Sequence, residues 1–381
     1  MANVSIQGLT KRFGGKSPTT AIDNLDIEIE QGEFLVLLGP SGCGKTTTLR
    51  CIAGLETANE GLIAFGERTV FDAARGVNVA PNKRNVGMVF QSYALWPHMT
   101  VRKNVGYPLR VRKIRGKQAT EWIEDVARLV ETTELLDRYP AQLSGGQQQR
   151  VALSRGLVAR PDLVLFDEPL SNLDARLREV VRSEIHELHQ RLKFTAVYVT
   201  HDQVEALGLG HRLAIMRKGV LEQLGRPDEI FEEPATEYVA DFIGMVNRLV
   251  FERRDGGWTY DGEPLDGELG PLNTASTTIT VHTRSEDVGL APRNDPPPPG
   301  TVSIPATIVD SEFGGRYMDV VVEAGLTRVQ ARIPAGERDG WARSLNAGQQ
   351  VIASLRTGNL AFFDETGALI SPAGRAAAVA S

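Results

Sequence analysis

The chain has 381 residues, 41% hydrophobic and 24% charged, with 42 Lys+Arg against 48 Asp+Glu and a formal net charge of −6. That length is too great for one typical domain and comfortable for two, and the composition can bury full cores. The acidic balance argues against a general nucleic-acid binder. Cys43 and Cys51, the two cysteines, have no metal-like pairing and fit a reducing cytosol. The opening "MANVSIQGLT" lacks the charged-then-apolar pattern of a secretory leader. No apolar run approaches the roughly eighteen residues needed to span a bilayer. A soluble protein is expected, reaching any membrane through a partner.

In chain order, short apolar runs alternate with long amphipathic segments up to about residue 235, the pattern of an α/β domain. "GEFLVLLG" predicts a buried strand entering a glycine-rich turn. "GKQATEWIEDVARLVETTELLDRY" has apolar residues at helical spacing, which places a helical subdomain at about 92–157. "DLVLFDEP" and "TAVYVTHD" predict further buried strands with polar residues at their C-terminal ends. Ligands of open α/β sheets bind at that edge. Beyond about residue 245 come "TTITVHT", "YMDVVVEAG" and "GQQVIASLR", β-rich runs broken by Gly, Pro and Asp that predict a small barrel or sandwich. The expected division is 1–237 for the α/β domain, 238–247 for a linker, 248–371 for the β domain and 372–381 for a disordered tail.

"GPSGCGKT", Gly39 to Thr46, fits G-x-x-x-x-G-K-[ST] at every position. Glycines let the backbone wrap phosphate, and the following helix offers free N–H groups and a positive dipole end. The expected ATP-binding set is Gly39, Ser41, Gly42, Cys43, Gly44, Lys45, Thr46 and Thr47. Lys45 would reach the β- and γ-phosphates, and the Thr46 hydroxyl would bind Mg²⁺. Asp167, after four apolar residues in "LVLFDE", would be the second magnesium anchor, and Glu168 would orient or deprotonate water. His186 and His189, beside Glu184 and Glu187, read as a solvated, charge-rich helix face rather than a metal site.

These motifs, in this order, resemble the ATPase subunits of ATP-binding-cassette (ABC) transporters, within them the importer group typified by the maltose-importer ATPase. The resemblance implies an α/β P-loop ATPase, a RecA-like core with a helical subdomain, plus a C-terminal all-β domain of the OB type. "VHTRSEDVGL" is similar to a segment of that accessory domain, with Ser285 where proline is usual. The resemblance further implies that Phe13 stacks on adenine and that Gln91 senses the γ-phosphate and magnesium. By the same resemblance His201 contacts the γ-phosphate, and Asp174 lies in a loop that crosses to a partner subunit.

The resemblance gives "LSGGQ" (Leu143, Ser144, Gly145, Gly146 and Gln147) to the ATP held by the other copy. A serine hydroxyl, two glycines and a helix N-terminus suit a phosphate. The implied assembly is a homodimer with two integral membrane permease subunits and an extracytoplasmic solute-binding protein, with ATP and Mg²⁺ and no nucleic acid. It would lie peripherally on the cytoplasmic face of the membrane. The implied activity is ATP hydrolysis powering bacterial solute import. Long coiled-coil insertions or a second cassette, usual in relatives that act on nucleic acid or ribosomes, are not seen. "DFIGMVNRL" departs from the sugar-type continuation and "LSGGQQQRVALSRGL" is similar to polyamine and iron types. Polyamine or ferric iron is therefore the expected substrate class, with sugar or glycerol phosphate the alternative.

Overall fold

Parallel strands buried on both faces have to be apolar, and three runs here are: Phe34–Leu38 and the first four residues of Ala196–Thr200 and of Leu163–Asp167. A computed structural model describes residues 3–14, 19–267, 269–293, 295–296, 298–336 and 341–370. The chain divides into two units, Met1–Asp228 and Glu229–Ser381. The elements of the first are β1 (Val4–Phe13), β2 (Thr19–Ile29), β3 (Phe34–Leu38), α1 (Lys45–Ala53), β4 (Glu60–Phe65), β5 (Arg68–Asp72), β6 (Val77–Asn78), β7 (Val86–Phe90), α2 (Val101–Val111), α3 (Gly116–Leu129), α4 (Gly145–Leu157), β8 (Leu163–Asp167), α5 (Ala175–Leu192), β9 (Ala196–Thr200), α6 (Gln203–Leu209), β10 (Arg212–Arg217) and β11 (Val220–Gly225).

One sheet, in the order β2-β1-β4-β5-β6, is antiparallel. The other runs β11-β10-β3-β9-β8-β7, and its strands from β10 to β7 are parallel. Helices α2 to α4 fill the connection from β7 to β8, so the helical segment leaves from one sheet edge and returns to it. Arg84 is fully buried against the end of α1. Its guanidinium donates to the carbonyls of Cys51 and Ile52 in the last turn of the helix, to the Val79 carbonyl and to Asn78 Oδ1. Among the described residues no helix is long and apolar enough to cross a membrane.

The α5 face departs from expectation at one residue. His186 is exposed, but His189 is only 2% exposed, with its ring edge-on to Phe34 and Phe194. Its Nε2 donates to the Phe194 carbonyl at 2.8 Å. Helical periodicity turns Val181, Ile185, Leu188 and His189 onto one buried stripe, and the surrounding charges hid that stripe in the sequence. Burial first, then the neighbouring His211, depresses the His189 pKa to about 4. The unfolded chain therefore binds the extra proton between its ordinary 6.5 and about 4. Stability is fully present above 6.5 and is lost as pH falls through that window. Urea unfolding at pH 5 is expected to show about 2 kcal/mol less stability than at pH 7.5 from this group. His189→Gln should flatten that difference, and an unchanged pH slope in the variant would remove His189 as its cause.

In the second unit all strand pairings are antiparallel. One sheet is built around Asn247–Arg254 and Thr278–Thr283, the other around Thr301–Phe313, Tyr317–Ala324 and Gln350–Arg356. Inward residues of both, among them Phe251, Ile279, Val281, Ile304, Val320 and Leu355, share one apolar core, as expected of an OB-like all-β unit. The stretch read as a linker at 238–247 is ordered differently. Helix Glu237–Phe242 runs through it, and Ala240 and Met245 pack with Ala361 and Phe363. Those contacts are more than a hundred residues away in sequence, out of reach of local pattern. Residues 371–381, which include the expected disordered tail, lie outside the described residues.

Candidate active site

Four neighbouring strands, β3, β9, β8 and β7, end at the same edge of the sheet. Their C-terminal ends carry the Gly39–Thr46 turn, His201, Asp167 with Glu168, and Gln91 respectively. The register aligns Phe90 with Asp167, Asp167 with Val199, and Leu38 with Thr200. Residues far apart in sequence thus meet because parallel strands share a direction.

The turn from β3 to α1 is glycine-dependent at Gly44. Its φ of 107° is left-handed, and a Cβ there would run into the Ala21 carbonyl oxygen. As N-cap of α1 it supplies no side-chain acceptor, so α1 begins without a side-chain cap on its first-turn N–H groups. Lys45 is 4% exposed and donates to the carbonyls of Gly39 at 2.6 Å and Pro40 at 3.0 Å, which holds its charge inside the turn. Cys43 is buried there as well. A positive charge beside a helix start that carries no side-chain cap is what a polyphosphate requires.

Thr46 Oγ1 lies 3.2 Å from Asp167 Oδ1. Burial pushes the Asp167 carboxyl up, while the Thr46 hydrogen bond and Arg50 pull the other way. A desolvated carboxylate beside a hydroxyl is an oxygen donor pair for a small hard cation. Their spacing is close to the edge of about 3 Å expected of an octahedron with bonds of about 2.1 Å. Magnesium therefore fits the residues present. Glu168 holds a φ of 46°, uncommon for a residue with a side chain, and its N–H donates to Val199 O at 3.1 Å. Its Oε2 is 3.2 Å from His201 Nδ1. The backbone that follows Gln91 is strained too, with positive φ at Tyr93 and Ala94.

A second locus forms where α4 and α5 begin. Ser144 caps α4 in a reciprocal box with Gln147, and Asp174 caps α5 by accepting from Leu177 N at 3.0 Å. A Cβ on Gly146 would sit 3.2 Å from the Leu177 side chain, and one on Gly145 would sit 3.4 Å from Leu173. The paired glycines let the Leu143–Gln147 turn lie against the start of α5. Phe13 is exposed at the end of β1, with the Lys11 ammonium 4.7 Å from its ring centre.

Sequence reading missed two residues here. Arg155, 7% exposed, donates to the carbonyls of Ala94 at 2.5 Å and Tyr93 at 2.6 Å and so fastens the strained loop after Gln91 to α4. Burial lowers its pKa to about 10. The available signal was an arginine four residues after Val151 on the apolar face of α4. Asn172 donates from Nδ2 to the Gln91 carbonyl at 3.0 Å.

A family model described as "ABC transporter" matches residues 22–171. The chain is 51% identical over 297 residues to the trehalose/maltose import ATP-binding protein MalK of Thermococcus litoralis, covering 76% of this chain and 79% of that protein. The chain belongs to the ABC transporter ATPases. It is likewise 41% identical over 373 residues to the sn-glycerol-3-phosphate import ATP-binding protein UgpC of Burkholderia lata, covering 96% of this chain and 99% of that protein. A solved structure, "Dimeric Structure of MJ0796, a Bacterial ABC Transporter Cassette", aligns with a TM-score of 0.50 and 30% identity over 59% of this chain and 98% of that one. The chain is thus an ATPase of the importer type, a P-loop cassette followed by an all-β unit.

The expectation of polyamine or ferric iron is not supported, since these importer relatives are named for sugars and glycerol phosphate. The residues behind that expectation have structural work instead. Met245 is buried, and Asn247 donates to and accepts from the Gln330 backbone at 2.8 and 2.6 Å. They report how the β unit packs, not which solute is carried.

Proposed function

We propose that this chain is the ATP-hydrolysing subunit of an importer for a sugar or a glycerol phosphate. The reading rests on the relative named for sn-glycerol 3-phosphate import, which matches almost end to end, and on the one named for trehalose/maltose. A homodimer would work at the cytoplasmic face, peripherally, on two membrane permease subunits served by an extracytoplasmic solute-binding protein. A cleft lined by Phe90, Ala94, Trp96, Tyr107, Pro108 and Arg155, beside the loop after Gln91, is the surface we assign to a short helix of the permease.

In the proposed cycle, Lys45 swings from its loop carbonyls to the β- and γ-phosphates, and Phe13 stacks on adenine. Thr46, Asp167 and Gln91 would hold magnesium, which when bound offsets the phosphate charge. Glu168, positioned by His201, would orient and deprotonate the attacking water. Ser144, Gly145 and Gly146 of the partner copy would close on the γ-phosphate, with Asp174 at the dimer seam.

The test is reconstitution in nanodiscs with the permease subunits that copurify with the chain. ATPase activity should rise when the binding protein is loaded with a disaccharide or glycerol 3-phosphate. Stimulation by spermidine or ferric ion alone would overturn the solute class. Copurification with ribosomes or DNA in place of membrane proteins would overturn the importer reading itself.

A further inference from the structure

Arg178, in the first turn of α5, has no part in the ATP site described above, yet its guanidinium reaches three groups at once. Its Nη1 donates to Asp202 Oδ2 at 3.3 Å, its Nη2 donates to the Leu173 carbonyl at 3.2 Å, and its Nε lies 3.8 Å from Glu205 Oε1. A planar, permanently charged fork can serve two carboxylates and a carbonyl together. Asp202 is the N-cap of α6 and follows His201 directly. Glu205, in the first turn of that helix, is 3% exposed.

The helix α6 does not need this guanidinium to stay capped. Asp202 Oδ1 already accepts from Glu205 N at 3.0 Å, and Glu205 Oε2 accepts from the Tyr198 and Thr200 hydroxyls, both at 2.8 Å. What Arg178 takes is the second oxygen of Asp202, which fixes the rotation of that carboxylate. Asp202 N donates in turn to Thr200 Oγ1 at 3.0 Å. The residues on either side of His201 are therefore both pinned. The His201 side chain is 54% exposed, so packing alone does not set its direction, and its Nδ1 lies 3.2 Å from Glu168 Oε2.

We infer that Arg178 is a positioning residue for ATP hydrolysis, which through Asp202 fixes the backbone from which His201 reaches Glu168. The inference rests on the role proposed above for His201 and adds what holds that histidine in place. Two substitutions isolate the link. Arg178→Gln removes the charged fork. Asp202→Asn keeps an oxygen to cap α6, since asparagine is as good an N-cap as aspartate, but turns an amide donor toward the guanidinium. Neither touches the Gly39–Thr46 turn.

The experiment measures ATP hydrolysis by the reconstituted complex and, on the full chain, the NMR signals of the histidine rings, with His201 assigned through His201→Gln. Each substitution should lower kcat by about ten- to a hundredfold, with KM for ATP unchanged within about twofold. The pair together should be no slower than the slower single variant, because both break one link. The His201 ring signals should move in both variants, while those of His189, buried on α5, stay in place and report an intact fold. Native kcat in Arg178→Gln, losses that multiply in the pair, or a slowed enzyme with unmoved His201 signals would overturn the assignment. Movement of His189 together with His201 in both variants would make Arg178 a strut of α5 and would overturn it as well. His201→Gln separates this inference from its premise. Native turnover in that variant would remove the proposed role of His201 itself, whereas slow turnover there beside native turnover in Arg178→Gln would overturn only the part given to Arg178.

Discussion

Replacing Glu168 with glutamine is expected to lower ATP hydrolysis by about 10²- to 10⁴-fold, the usual worth of a positioned general base, while nucleotide binding survives. The substitution keeps the side-chain shape and its hydrogen-bonding reach but removes the charge that would draw a proton from water. The backbone at this position is already left-handed, at a φ of 46°, and is tied to Val199. Glutamine asks nothing new of it. Because His201 Nδ1 is 3.2 Å from Glu168 Oε2, the histidine can still contact the amide oxygen, so loss of rate reports on the carboxylate rather than on a collapsed site. The closed, ATP-bound dimer should accumulate and be visible by size-exclusion chromatography. Native turnover in Glu168→Gln would show that another group activates the water.

Lys45→Ala should act one step earlier, on binding. The ammonium is buried in the Gly39–Thr46 turn and held there by two carbonyls. Charge-assisted hydrogen bonds to phosphate are each worth about 1.5–3 kcal/mol, so ATP affinity should fall by about 10- to 100-fold and hydrolysis by more. Equilibrium binding of a fluorescent ATP analogue separates the two losses. A variant that binds ATP as the native chain does, yet hydrolyses it slowly, would move Lys45 from binding to chemistry alone.

The contrast between these residues and those that escaped notice has a physical basis. The phosphate turn is legible because its chemistry is contiguous: glycines, lysine and threonine must follow one another for the backbone to wrap a phosphate. Asp167 and Glu168 are legible for a related reason, since a buried strand that ends in two acids has few other uses. The all-β unit shows itself through strand-like runs and turn residues. Arg155 is different. Its role depends on the carbonyls of Tyr93 and Ala94, about sixty residues earlier and on another element, and nothing local marks an arginine as a clamp. His189 misled for the complementary reason: exposed charges on either side of it hid a buried stripe that runs for about two helical turns. The stretch 238–247 reads as a linker because a six-residue helix carries little periodicity of its own.

Inference of the solute failed on different grounds. An ATPase subunit of this kind is expected to make no contact with what is imported, so its own residues need not encode it. Met245 and Asn247 are constrained by packing inside the β unit, and the "LSGGQQQRVALSRGL" run by the capping and burial of α4. Likeness to whole relatives carries information that these single positions do not.

The central claim is that each ATP is held by the phosphate turn of one copy and the Ser144 turn of another. It is tested most directly by crosslinking two differently tagged chains lacking Cys43 and Cys51. One would carry Ser41→Cys and the other Ser144→Cys, both in the Glu168→Gln background. With ATP and magnesium, the account predicts a crosslink between the two tags that is absent without nucleotide. A doubly substituted chain that instead crosslinked only within itself, with no adduct between tags, would contradict it.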